Sequence, residues 1–263
     1  MKHNYKLTLI AAAAIVLTYF GCSKLKEDNT PVNTADPTLV STEIASNLSQ
    51  ALYGEQGGFS ISDGLDYPSN IVFKSKGKAR IESASNFGCG FKIDTAFSLK
   101  LGDSDTSKLD LWEKIKYEVL CTNNKPSSIT VNDSLNLVLV GGGANITEKY
   151  GKNFILKSLN PGVSNLKLQL DGTLNAYVNG TYTEAGKAKA ISASFNFKLT
   201  GLMIDRAADA DITDGHATFS TKGTYEGKTW NYSGTISFIG NHKAQFSING
   251  KKFTINIKTG QVL

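Results

Sequence analysis

Side chains that could perform catalysis are sparse in this sequence. Two of its three histidines, His216 and His242, lie beyond the N-terminal segment, the first at an expected strand start and the second in an expected turn. No His-Glu-x-x-His zinc motif and no Gly-x-Ser-x-Gly nucleophile elbow occurs. We therefore expect neither enzyme activity nor a cofactor. A Ser-His-Asp site or a carboxylate pair assembled from distant residues stays open as an alternative.

Two glycine-rich segments resemble phosphate-binding loops only in part. Residues 223–229 (GTYEGKT) are one residue shorter than a P-loop, and no helical pattern follows them. The run Gly141-Gly142-Gly143 follows a strand pattern but lacks the third glycine of a dinucleotide-binding fingerprint. We interpret both segments as connections between strands.

Two acidic loops place oxygen ligands at spacings that calcium sites use. Asp103 and Asp105 resemble the start of a calcium loop, although lysines occupy the positions of its glycine and its closing glutamate. Asp209 and Asp211 lie in a second acidic loop. Solvated turn residues are the simpler interpretation, so we predict no metal site and keep these four acids as calcium candidates.

Aromatic side chains offer another kind of binding chemistry, because a flat ring has an amphipathic face on which a sugar can stack. Trp230 and Tyr232 fall at inward positions of their strand and are expected in the core. Tyr177 alternates to the side opposite its apolar neighbours and, with Trp112, is a candidate binding residue. The chain has only two arginines and no cluster of basic residues, which argues against a nucleic-acid partner.

One helix is expected near the N-terminus, over residues 38–54. Asp36 can cap it, Pro37 suits its first turn, and Gly54 can end it. Apolar residues recur every four positions, as expected for packing against a sheet. These residues are Val40, Ile44, Leu48 and Leu52.

From Phe59 onward the apolar residues alternate with period two, which indicates strands. In the first half, 55–160, strands are predicted near 59–62, 70–75, 78–83, 89–101, 112–121, 127–140 and 144–157, with breaks inside the last two. The second half, 161–263, is predicted to be a six-stranded antiparallel meander. Its predicted turns are Ala185-Gly186, Glu226-Gly227, Gly240-Asn241-His242 and Asn249-Gly250, with a bulge at Gly201.

The lengths of these turns determine which residues of neighbouring strands lie opposite each other in the second half. Val178 is predicted opposite Ala193, Phe219 opposite Gly234, Trp230 opposite Gly223, and Phe246 opposite Phe253. With these pairs, the apolar side chains of all six strands lie on the same face of the sheet. That face must be covered by another part of the protein. The predicted fold class is all-β, a β-sandwich or partly open barrel with one short N-terminal helix, as one fused domain.

The first 21 residues have the layout of a secretory signal peptide. A basic start with Lys2 and Lys6 precedes the apolar run 7–20, and Gly21-Cys22 precedes a polar tract. The apolar run is too short to span a membrane, which takes about 20 residues. Cleavage is therefore predicted between Gly21 and Cys22.

A cysteine directly after the small residue makes this segment similar to a bacterial lipoprotein signal. The loose motif Tyr19-Phe20-Gly21-Cys22 and the following Lys26-Glu27-Asp28 resemble those of surface lipoproteins of Bacteroidota. The resemblance implies that Cys22 carries fatty acyl chains such as palmitate, and that residues 22–37 tether the domain to the outer membrane, on either its cell-surface or its periplasmic side.

Export would leave Cys89 and Cys121 in an oxidising compartment, which favours a disulfide between them. Pairing their strands with Cys89 opposite Cys121 places Phe91 opposite Val119 and brings both apolar faces together. Two buried free thiols are the alternative.

The sequence therefore predicts a membrane-anchored exported lipoprotein with a β-rich binding or structural module. Its partner could be a glycan or a protein, and the sequence does not decide between them. Two alternatives remain, a glycan-binding accessory and a carrier of an apolar ligand.

Overall fold

A computed structural model describes residues 34–54, 59–66, 88–104, 107–161 and 166–263 of the protein. They contain one α-helix, α1 (Pro37–Leu52), and one 11-stranded antiparallel sheet, which confirms the all-β prediction. The strands are β1 Lys92–Ser104, β2 Ser107–Thr122, β3 Lys125–Gly141, β4 Ala144–Ser158, β5 Lys167–Glu184, β6 Lys187–Asp205, β7 Asp211–Tyr225, β8 Lys228–Gly240, β9 Lys243–Ile248, β10 Lys251–Asn256 and β11 Gln261–Val262.

Every strand of the sheet lies beside its neighbours in sequence, in the order β1 to β11. The two halves expected from the sequence are joined by the pairing of β4 with β5, so they form one continuous sheet instead of two facing sheets. The sheet does not close into a barrel. Its inner face and α1 together form a single hydrophobic core.

The helix lies in this core with most of its circumference buried. The Asp36 carboxylate accepts a 2.8 Å hydrogen bond from the Thr38 N–H, so the predicted cap is present. The predicted apolar stripe is at most 1% exposed, namely Val40, Ile44, Leu48 and Leu52. The helix ends at Leu52 with Tyr53 as its cap, two residues before the predicted end.

Most predicted cross-strand pairs are present. Val178 pairs with Ala193, Phe219 with Gly234, Trp230 with Gly223, and Phe246 with Phe253. The predicted disulfide joins Cys89 to Cys121, with Cα atoms 5.4 Å apart.

The predicted bulge at Gly201 is confirmed, whereas one predicted loop is a residue shorter than expected. The register between β5 and β6 shifts beside Gly201, whose N–H donates a 2.8 Å hydrogen bond to Asp171 Oδ1, so the predicted bulge is present. The loop between β8 and β9 has two residues instead of three, because Gly240 pairs with Lys243 and the extra residue forms a bulge after Phe238.

The predicted strand at 59–62 is wrong. Phe59 and Ile61 alternate like strand residues and are at most 1% exposed, but residues 61–66 form turns. The predicted breaks inside 127–140 and 144–157 are also wrong, because β3 and β4 run without interruption. The predicted strands at 70–75 and 78–83, and the signal peptide with Gly21 and Cys22, lie outside the described residues.

Candidate functional site

Trp112 and Tyr177 lie on the outer face of the sheet, opposite the core. Their strand neighbours alternate with them and point inward, as do the buried Ile115 and Val178. Successive pairings place Trp112 opposite Asn136, Asn136 opposite Lys149, and Lys149 opposite Tyr177. The structure therefore brings both candidate aromatic residues into one cross-strand row.

The two rings of this row are accessible and well separated. Trp112 is 43% exposed and Tyr177 is 39% exposed. Three inter-strand spacings separate them, which corresponds to roughly 14 Å. The amide of Asn136 and the ammonium of Lys149 occupy the two positions between the rings. The amide oxygen of Asn136 is buried, whereas Lys149 is exposed, so a flat or extended ligand could contact both rings and the ammonium of Lys149 between them.

Beyond Tyr177 the row borders an open groove of about 760 Å³, whose lining also includes the inner-face residues Ala193, Trp230 and Tyr232. Ser194, Lys222 and Asn231 follow Tyr177 in successive pairings, and all four residues line this groove. We call the eight paired residues the outer strip; they are Ser98, Trp112, Asn136, Lys149, Tyr177, Ser194, Lys222 and Asn231.

The chemistry of the outer strip and its flanking rows is dominated by neutral amides and hydroxyls. Flanking residues of this kind are Ser134, Asn175, Asn179, Ser192, Asn196, Ser220, Thr224, Thr229 and Ser233. The carboxylate of Asp110 lies in a flanking row, but its hydrogen bond and ion pair with Lys108, together with its ion pair with Lys100, occupy it and lower its pKa. Neither Lys149 nor Lys222 forms an ion pair with any residue in the described ranges. The strip itself therefore has two positive charges and no acid.

A second unusual feature is a charged pair on the inner face. Lys152 and Asp133 lie opposite each other on β4 and β3, with both side chains fully buried and Nζ 3.7 Å from Oδ2. Burial lowers the pKa of Lys152 to about 8, while it raises that of Asp133. Burial, followed by the charge of Asp133, raises the pKa of nearby Glu113 to about 7.

The calcium candidates of the second acidic loop have protein partners. Asp211 accepts 2.7 Å hydrogen bonds from the backbone N–H groups of Asn241 and His242. Asp209 forms an ion pair with Lys258, which lowers its pKa. Within the described part of the chain no three His, Cys, Asp or Glu residues are arranged to hold a metal. Asp105 and the side chain of Asp103 lie outside the described residues.

His242 is the histidine with the more elaborate surroundings. Its Nδ1 lies 3.3 Å from the Tyr53 hydroxyl and 3.6 Å from Asp211 Oδ1, and its Nε2 lies 3.7 Å from Asp209 Oδ2. The Tyr53 hydroxyl donates to the Ala210 carbonyl, and burial raises its pKa, so it stays protonated. These contacts tie the end of α1 to two chain connections, the one between β6 and β7 and the one between β8 and β9. His216 is exposed within β7.

Several site residues were missed from the sequence, in particular Asn136, Lys149 and Lys222 of the strip and the buried Asp133 and Lys152. Alternation within each strand would have assigned each residue to a face of the sheet, but not to a position opposite a particular residue of the next strand.

In the described part of the chain, no helix has the length and apolar character that crossing a membrane requires. The chain matches no protein-family model, no curated protein and no solved structure.

Proposed function

We propose that this protein is an exported lipoprotein, anchored in the outer membrane, whose β-domain binds a polysaccharide along the outer strip. The observation that carries the binding function is the alignment of Trp112 and Tyr177, both exposed, in one cross-strand row. A pair of exposed aromatic rings in one row of a polar face suits stacking on sugar rings, because each ring presents a flat amphipathic surface.

The polar groups of the strip define the class of polysaccharide. Amides and hydroxyls exchange hydrogen bonds with sugar hydroxyls as both donors and acceptors. Lys149 lies opposite Tyr177, and Lys222 lies two strands further along the same row. Two ammonium groups without a carboxylate in the row favour an anionic chain, such as one that contains uronic acids. The ligand class is therefore a linear polysaccharide with carboxylate groups.

The alternative of an apolar-ligand carrier has less support. A cavity between α1 and the sheet measures about 80 Å³, roughly half the volume of one that accepts benzene. An acyl chain needs more room than this cavity offers. The outer strip has no such limit, because it is open along its length.

Binding is tested by affinity electrophoresis through gels that contain polygalacturonate, alginate or hyaluronan, with dextran as the neutral gel. We expect retardation by at least one anionic polysaccharide. Trp112→Ala and Tyr177→Ala should each weaken it about tenfold, because a stacked ring contributes roughly 1–3 kcal/mol. Lys149→Ala should weaken binding most at low ionic strength. Binding by this variant should also depend less on salt than binding by the wild type, because one attractive charge is gone.

The matched control is Phe97→Ala, because Phe97 is 45% exposed but belongs to the inner-face register of β1, opposite Glu113. This variant should bind as wild type does. Migration unaffected by every polysaccharide, or retardation that persists in the Trp112→Ala/Tyr177→Ala double variant, would count against the strip.

Membrane anchoring rests on the N-terminal pattern and has its own test. Cys22→Ala should abolish incorporation of labelled palmitate and release the protein from the membrane fraction, because two or more acyl chains are needed for stable anchoring. Because Thr34 and Ala35 already contact Thr229 of the sheet, a tether over 23–33 has about 11 residues and would let the domain move roughly 18 Å from the lipid surface. Membrane retention of the Cys22→Ala protein would contradict lipidation at this residue.

A further inference from the structure

A cavity of about 80 Å³ separates one side of α1 from the inner face of the sheet. Glu43 and Asn47 of the helix face Glu148 of β4 across it, and apolar side chains complete the lining, among them Leu135, Val178 and Phe195. We propose that this cavity binds the ammonium group of a small organic amine between the carboxylates of Glu43 and Glu148. Lys149 and Tyr177, whose side chains belong to the outer strip, also border this cavity, as does Tyr150.

The carboxylate of Glu43 is the observation that points to a ligand. Glu43 is only 8% exposed, although acids are almost never buried without a partner. No hydrogen bond or ion pair reaches this carboxylate from the described residues. A buried acid that lines a cavity and has no partner there gains most from a ligand that brings both a positive charge and hydrogen-bond donors.

The second carboxylate strengthens the preference for a cation. Burial and the charge of Glu148 raise the pKa of Glu43 to about 8, and burial raises the pKa of Glu148. Near neutral pH the empty pair therefore retains a proton, and an ammonium ion that enters displaces it. Tyr182 of β5 also faces Glu43, but its burial and its hydrogen bond with Tyr225 raise its pKa and keep it neutral.

The shape of the cavity limits the ligand to a short one. Its volume suits an ammonium group with a few carbon atoms, and Leu135, Val178 and Phe195 would contact those carbons. Asn47 and Gln50, one and two turns after Glu43, are half-buried and also line the cavity, so its helix side is partly open to solvent.

The test uses thermal unfolding of the whole protein with n-propylammonium chloride at pH 8, with propan-1-ol and sodium chloride at matched concentrations as controls. At roughly five times its Kd, the amine should raise the Tm by about 2–4 °C, while the controls do not. The rise should grow from pH 6 to pH 9, since Glu43 loses its proton over this range while the amine keeps its own.

Glu43→Gln and Glu148→Gln should each remove the amine-specific rise. The matched control is Glu118→Gln, whose side chain pairs with Lys92 on the outer face and should leave the rise intact. A rise that sodium chloride or propan-1-ol reproduces, or one that Glu43→Gln retains, would overturn the proposal. So would the absence of a rise with every amine from methylammonium to butylammonium. Polysaccharide binding, measured in parallel, is expected to be unchanged in the Glu43→Gln protein.

Discussion

Replacing Lys152 with methionine is expected to lower the free energy of unfolding by about 3–5 kcal/mol at pH 8. Methionine keeps most of the side-chain volume, so the loss comes from charge. The substitution leaves Asp133 fully buried without its counterion, and Glu113, the other ionisable neighbour, is itself an acid. Urea unfolding followed by circular dichroism measures the difference directly.

The loss should be smaller at pH 5 than at pH 8. Burial already raises the pKa of Asp133, and removing Lys152 raises it further. A carboxyl whose pKa is higher in the folded state than in the unfolded state loses stability as the pH rises between these two values. Protonation at low pH therefore removes part of the penalty.

The double variant Asp133→Leu/Lys152→Met separates charge from packing. Neither oxygen of Asp133 accepts a hydrogen bond within the described part of the chain, and Lys152 Nζ, 3.7 Å from Oδ2, also lies 5.8 Å from the centre of the Phe59 ring. Apolar replacement of both partners should bring stability back to within about 1 kcal/mol of wild type. Lys116→Met removes an exposed pair with Asp94 and should cost less than about 1 kcal/mol. A double variant as unstable as Lys152→Met would contradict this account.

Removing the disulfide, by Cys89→Ala/Cys121→Ala, is expected to lower the free energy of unfolding by about 3–4 kcal/mol. The bond closes a loop over a sequence separation of 32 residues and restricts the unfolded chain. It also holds the start of β1, which lies at the edge of the described sheet and, among the described strands, pairs only with β2. Limited proteolysis of this variant should therefore cleave first within residues 88–104.

The control for this prediction is wild-type protein with and without reductant. Reduction should reproduce the loss of stability in the wild type and leave the double alanine variant unchanged. Equal stability of oxidised and reduced wild-type protein would mean that pairing between β1 and β2 is sufficient to hold the edge.

Local rules predicted much of the sheet. Asn249-Gly250 sets the pairing of Phe246 with Phe253, because a two-residue turn and period-two alternation together determine a hairpin's register. The same reasoning placed Cys89 beside Cys121. It failed at Phe59 and Ile61, because an apolar pair two residues apart can fill a core from a turn as well as from a strand.

The outer strip could be predicted only in part. Alternation assigned Tyr177 to the outer face, but the alignment of Tyr177 with Trp112 depends on three successive registers. The last of these joins β4 to β5 through a connection without a two-residue turn signal. Small uncertainties in register accumulate from strand to strand, so a row that spans four strands is a property of the assembled sheet.

By itself, the sequence determined the all-β class, the helix with its buried stripe, most hairpins and the disulfide, because these depend on short-range periodicity, turn chemistry and pairing of adjacent strands. Only the tertiary structure decided that both halves form one sheet and that α1 lies within its core. It also decided that Glu43 and Glu148 face each other across a cavity. The physical reason is that the burial of a helical acid depends on what packs around the helix, and residues far along the chain supply that packing.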